Sequence, residues 1–217
     1  MGVPEWSSAP RLWDRFLEGG PVMFVILAFS ILGLSLWLRV WVSLSRLRGR
    51  VAESAQRGYL DLLREDRLES LRLRAESAGD LLGLIARRLL EFAGESSDEL
   101  RHLARVESVA YYRPLMSNAR WVLISSRVAP LLGLLGTVLG ISASFNQVAQ
   151  AGGIGDYEKL AAGIHIALYT TIFGLIVSIL LFVLYQVLSG RIQRQLVLLE
   201  DYADEFILLL KRRGSGP

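Results

Sequence analysis

In the apolar parts of this chain, the residues able to do chemistry are hydroxyls. Thr137 lies in "APLLGLLGTVLGISASF" (129–145), and Thr170 and Thr171 lie in "AAGIHIALYTTIFGLIVSI" (161–179). A hydroxyl both donates and accepts, so hydroxyls lining a narrow path suit ordered water or a hydrated ion. Each stretch also carries a stripe of small residues at i+3/i+4 steps. The first runs Ala129, Gly133, Gly136, Gly140, Ser144, with Thr137 beside it; the second runs Gly163, Ala167, Thr171, Gly174, Ser178, with Thr170 adjacent. Such stripes let two helices approach closely, so the glycines read first as packing. A single membrane threonine reads as bonded to its own preceding turn. Thr137 and Thr171 on facing stripes of one hairpin add a second reading, an ion path.

What is missing narrows the chemistry. Neither 121–150 nor 160–190 contains Asp, Glu or Lys, and His165 is the one histidine in them. Proton relays depend on an embedded acid or histidine. His165 stands near the outer end of its span, where interfacial solvation explains it. A carboxylate for proton movement is therefore expected from another polypeptide. The chain has no cysteine and two histidines without an HExxH pattern, so neither a metal site nor a cofactor is expected. No nucleophile–base pair or phosphate loop is visible, and an enzyme is not expected.

These hydroxyls need helices to position them. The chain has 217 residues, 52% hydrophobic, with mean hydropathy +0.39. Three stretches approach or exceed the roughly 20 apolar residues that span a bilayer. The reading is an all-α membrane protein with three transmembrane helices and long cytoplasmic helical extensions. Its expected segments are a periplasmic amphipathic stretch 1–18 bearing Trp6 and Trp13, span one 19–44, a cytoplasmic helical region 45–120, span two 121–150, a periplasmic loop 151–158, span three 159–190 and a cytoplasmic tail 191–217. Span one reads as a retained helix, because the residues before it mix charges where a signal peptide is basic.

Within 45–120, Leu60, Leu63, Leu68 and Leu71 recur at helical spacing, as do Leu81, Leu82, Ile85, Leu89 and Phe92, then Leu100, Leu103, Val106 and Val109. "SAGD" and "GESSDE" are the expected breaks, with Ser97 or Asp98 as N-cap. After Gly190 the stripe Ile192, Leu196, Leu199, Ala203, Phe206, Leu210 continues and must bury against another helix. Fourteen arginines between Ser43 and Arg120 alternate with twelve acids, the pattern of solvated helix faces, so no nucleic-acid partner is expected. "RLRGR" after span one and Arg191 and Arg194 after span three place that side in the cytoplasm and the N-terminus outside.

At this point the chain resembles the MotA/TolQ/ExbB family of ion-driven inner-membrane motor proteins, ExbB and TolQ above all. "APLLGLLGTVLGISASF" is similar to the span-two signature, and "AAGIHIALYTTIFGLIVSI" to the span-three pattern of Gly-Ile, Ala-Leu, Thr, Gly-Leu. "GGPVMFVILAFSILGL" and "LEDYADEFILLL" resemble the opening of span one and the tail. The resemblance implies a bacterial inner-membrane homopentamer, with spans two and three lining a central pore. Two copies of an ExbD/TolR-like single-span partner would sit inside, each carrying a membrane aspartate. The family's pore threonines map onto Thr137 and Thr171. The implied function is a stator subunit coupling the proton motive force to work on the cell envelope, with a TonB-like or other envelope protein as a further partner.

Two positions depart from the family's pattern. "GIHIAL" places Ile166 where a glutamate usually stands, with His165 before it, so His165, Ile166 and Thr170 form the candidate ion-entrance region. "WLRVW" carries Arg39 where a Glu-Arg pair is common. Both departures keep two alternatives open: a non-conducting membrane scaffold, or a sodium-driven or motility-specialised member of the same family.

Overall fold

A computed structural model of the protein describes residues 16, 19–48, 53–77, 79–150 and 157–214. It is 93% helical, with no strand among the described residues. The elements are α1 (Pro21–Arg48), α2 (Glu53–Arg64), α3 (Leu68–Ser77), α4 (Leu81–Glu91), α5 (Ser97–Gln150) and α6 (Tyr157–Gly214). The expected segment 1–18 apart from Phe16, and the loop 151–158 apart from its last two residues, lie outside the described residues.

Three of these helices, α1, α5 and α6, are long and apolar enough to cross a membrane. Pro21 opens α1 at the position where its missing N–H costs nothing, preceded by Gly20 at φ +70°. The two later helices do not stop with their apolar stretches. α5 runs 54 residues and α6 runs 58, or roughly 80 Å and more at 1.5 Å per residue. The apolar parts leave large side chains uncovered: Leu131, Leu135 and Val138 on α5, Ile176, Ile179 and Val183 on α6. Exposed apolar surface on this scale fits lipid or another chain rather than water.

The chain divides into two compact units, 1–37 with 120–186 and 38–119 with 187–217. The second has a conventional core. Tyr59 and Leu63 of α2, Leu71 of α3, Leu82, Ile85 and Leu89 of α4, Leu100 and Tyr112 of α5, and Leu199, Tyr202 and Phe206 of α6 are all buried. Of the stripe expected after Gly190, Ile192, Leu199, Ala203, Phe206 and Leu210 are buried and Leu196 is half-buried. The Tyr59 and Tyr202 rings meet edge-on at 6.5 Å, and the Tyr59 hydroxyl donates to Asp80 Oδ1 at 3.0 Å. Burial, aided by that bond, pushes the Tyr59 phenol up to about 12.

Breaks fall at "SAGD" and "GESSDE" as the sequence indicates, and a third appears that periodicity did not mark. α2 ends at Arg64 and is closed by Asp66, φ +60°, where the Arg67 N–H donates to Leu62 O and the Asp66 N–H to Leu63 O. This is a Schellman closure with aspartate in the place glycine usually takes. Asp66 is also ion-paired with Arg213 of α6. The cap of α5 is Ser96, one residue before the expected Ser97. Its hydroxyl accepts from the Glu99 N–H at 3.3 Å, while Glu99 Oε2 accepts from the Ser96 N–H at 3.0 Å. That reciprocal S-x-x-E box was legible in the sequence. Side-chain and backbone bonds from Ser96 hold the Glu99 carboxyl below its ordinary range.

The stripe Leu100, Leu103, Val106, Val109 is corrected as well. Val106 and Val109 are exposed, and the buried face of α5 instead runs Leu100, Ala104, Ser108, Tyr112. Phe92 is exposed too, because α4 has already ended at Glu91.

Candidate functional site

Spans two and three meet in the first unit as an antiparallel pair whose register is set by small residues. A Cβ placed on Gly174 would come within 2.6 Å of the Ala129 carbonyl and 3.1 Å of Gly133 Cα. One on Gly133 would come within 2.8 Å of Thr170 O and 2.9 Å of Thr171 Cα. Farther along, Gly140 abuts Ala167 and Gly163 abuts Ser144. The backbones are thus in direct contact at the centre, and the small residues Gly133, Gly140, Gly163, Ala167 and Gly174 of the two stripes form the contact surface.

Thr170, not Thr171, fills the centre of that contact. Its side chain packs on Gly136, is 2% exposed, and its Oγ1 lies 2.8 Å from the Ala167 carbonyl and 3.0 Å from the Gly133 carbonyl of the opposite helix. One proton is shared between two acceptors, so the hydroxyl is fully engaged in joining the helices. Thr137 is 7% exposed and donates to Leu134 O of its own helix at 2.7 Å. Ser144 likewise donates to Gly140 O at 2.9 Å.

Thr171 differs from all of these. Its Oγ1 is buried and has no hydrogen-bond partner among the described residues. A buried orphan hydroxyl costs about 1–3 kcal/mol relative to a satisfied one. No hydrogen bond joins Thr137 to Thr171, although both lie in the same helix pair. Ala167 and Gly174 are buried at the contact, and Ser178 is half-buried.

The candidate entrance residues separate. His165 is exposed, its ring edge-on to Tyr169 at 5.1 Å. Ile166 is half-buried and lines a crevice of about 390 Å³ with Gly19, Val22, Ser144, Gln147 and Thr170. No carboxylate lines it among the described residues. Among the described residues no cluster of His, Asp or Glu could hold a metal ion.

One residue escaped the sequence reading. Ser125 is fully buried on α5, and its hydroxyl also lacks a partner among the described residues. It lies one helical turn before Ala129, and extending the stripe by that turn would have found it.

The chain is similar in sequence to known proteins. A family model described as the MotA/TolQ/ExbB proton channel family matches residues 77–201. The chain is 28% identical over 97% of its length, and 84% of the relative's, to a putative biopolymer transport protein, ExbB-like 1, of Synechocystis sp.. It is 31% identical over 94% of its length, and 69% of the relative's, to a putative biopolymer transport protein, ExbB homolog, of Methanothermobacter thermautotrophicus. A shorter match, 39% identical over 69 residues, covers 32% of this chain and 46% of the biopolymer transport protein ExbB of Aquifex aeolicus.

Proposed function

Because the chain belongs to the MotA/TolQ/ExbB proton channel family, we propose that it is the stator subunit of an ExbB/TolQ-like motor in a bacterial inner membrane. Five copies surround two helices of an ExbD/TolR-like partner, and ion flow along the lumen does work on the cell envelope. The N-terminus lies in the periplasm, and 45–120 and 191–217 in the cytoplasm.

The observation that carries this reading is the contrast between Thr170 and Thr171. Thr170 is consumed by packing, whereas Thr171 holds a polar group in the membrane that the protomer leaves unsatisfied. Threonine in a helix divides between two side-chain rotamers, and no hydrogen bond fixes this one. A change of rotamer turns the hydroxyl out to meet water or a partner carboxylate. Thr137, whose oxygen keeps accepting capacity after donating to Leu134, is the companion group. The spans supply no acid, so the charge-exchanging carboxylate is the partner's, and this chain alone conducts poorly because hydroxyl-lined apolar pores dewet.

The test is flux across liposomes holding this chain with its partner. Thr171→Val and Thr137→Val each lower ion flux about tenfold, the scale of one lost charge-assisted hydrogen bond, with assembly intact. Full flux in both variants refutes the assignment. Ile166, in a crevice that no carboxylate lines among the described residues, favours a second reading, a sodium-driven or non-conducting member. Flux under a sodium gradient but not a proton gradient identifies the former. No flux under either, from a correctly assembled complex, identifies the scaffold.

A further inference from the structure

Where the apolar stretches of α1 and α6 end, the second unit holds a polar cavity that the ion path does not use. Leu44 and Ser45 of α1 and Arg191, Arg194 and Gln195 of α6 line about 430 Å³. No acidic side chain is among them. We propose that this cavity binds the headgroup of an anionic phospholipid of the cytoplasmic leaflet.

Its depth in the membrane follows from the sequence. α1 carries no charge from Pro21 to Leu38, and α6 carries no Asp, Glu, Lys or Arg from Leu160 to Gly190. Arg191 is therefore the first charge at the end of that run, and Trp41 is the kind of aromatic that settles at headgroup level. Two arginines at this depth face the phosphates of the leaflet and not its acyl chains.

The two cations are also prepared for an anion. The Arg191 guanidinium stacks over the Trp41 ring, 3.7 Å from its centroid. Stacking uses the face of the guanidinium and leaves its in-plane N–H donors free for bidentate contact with phosphate oxygens. Arg194 makes no ion pair with a described residue, unlike Arg64, Arg88, Arg101 and Arg105 of the same unit, which face carboxylates. No ion pair with a described residue thus compensates the charge of Arg194 at the cavity. Gln195 adds an amide whose Oε1 has no donor among the described residues, so that no bond to that oxygen holds it in place. Such an amide can turn to accept from a headgroup hydroxyl or ammonium. Phosphate flanked by a hydrogen-bond donor, as in phosphatidylglycerol, meets both requirements, whereas the quaternary headgroup of phosphatidylcholine supplies no donor.

The experiment titrates the assembled, delipidated full chain with phosphatidylglycerol or phosphatidylcholine and counts retained lipids by native mass spectrometry. Phosphatidylglycerol is retained in preference, and inorganic phosphate at millimolar concentration does not displace it. Arg191→Gln and Arg194→Gln each weaken retention about tenfold, as loss of a hydrogen bond to a charged group implies. Trp41→Leu, which keeps both charges but removes the stack, also weakens it. Arg46→Gln removes a cation that does not line the cavity and weakens retention less than Arg194→Gln does, within the roughly fivefold that about 1 kcal/mol of general surface charge gives. Should Arg191→Gln fail to assemble, Arg194→Gln decides, because it leaves the stack untouched. Equal retention of the two lipids, an equal loss in Arg46→Gln and Arg194→Gln, or displacement by inorganic phosphate overturns the proposal.

Discussion

The same substitution, glycine to alanine, should have opposite effects at two places on α6. At Gly174 the new methyl would lie 2.6 Å from the Ala129 carbonyl oxygen and 3.1 Å from Gly133 Cα. Ordinary contact begins near 3.4 Å, so the helices must separate by roughly 0.8 Å at their tightest point. Both obstacles are backbone atoms, and no side chain can rotate away to absorb the clash. Overpacking of this kind costs about 1–3 kcal/mol. At Gly190 a Cβ meets nothing within 4 Å, and alanine gains about 1 kcal/mol of helix propensity with no steric debit. The two variants should therefore differ by roughly 2–4 kcal/mol, the sum of the two terms. Unfolding of each in matched detergent, followed by circular dichroism against denaturant, reads this directly. Separation at Gly174 also stretches the 3.0 Å contact between Thr170 Oγ1 and Gly133 O, so the loss exceeds that of Thr170→Val in the same assay. Equal stability of Gly174→Ala and Gly190→Ala would refute the backbone-contact register.

Neighbouring threonines should likewise separate in stability. Thr170→Val removes the bond that crosses to α5 and costs about 1 kcal/mol, while Thr171→Val removes an orphan hydroxyl and is neutral or stabilising by a similar amount; denaturant midpoints distinguish them. Ser96→Ala dissolves the capping box of α5 and costs about 1 kcal/mol, visible as faster amide exchange in the first turn. Tyr112 is buried with no partner for its hydroxyl among the described residues, and burial pushes it up to about 12. The folded state then keeps its phenolic proton between pH 10 and 12 while the unfolded chain releases it, so stability is level below pH 10 and falls above it. Tyr112→Phe should flatten part of that fall and be neutral or stabilising at pH 7; an unchanged alkaline slope counts against it.

Much of the fold is legible in the sequence because composition and period report it directly. Charge-free runs of membrane length mark the spans, and the small stripes at i+3/i+4 mark the face on which α5 and α6 meet. The helix stop at Asp66 was not legible, since aspartate in a left-handed closure leaves the Leu60–Leu71 pattern intact. The exposure of Val106 and Val109 was hidden for a related reason. Periodicity finds an apolar face, but Ala104 and Ser108 bury better against a close neighbour than larger side chains do. At the site, a stripe names a surface and leaves open which of two adjacent threonines occupies it. Helical rotation of about 100° per residue separates Thr170 from Thr171, and only packing fixes the phase.

That phase has a consequence for assembly. Thr170 points at α5, and Thr171, whose Cα would lie 2.9 Å from a Cβ on Gly133 and whose hydroxyl is buried, sits at the edge of that contact, with Leu168 and Leu175 on the exposed surface beyond it. Leu168 and Leu175 are 50% and 46% exposed, and Ser178 adds a second hydroxyl on this side. A uniformly apolar face would serve against lipid, whereas a face mixing leucines with an unsatisfied hydroxyl is poorly matched to it. The economical arrangement sets this face against a further helix, from a second copy or from a partner, whose polar group answers Thr171 once a change of rotamer turns its hydroxyl out of the protomer. Cross-linking through cysteines placed at Leu168 and Leu175 tests this. In the assembled complex they should capture another helix, and labelling by a lipid-soluble probe at those two positions, with Ile179 protected, would contradict it.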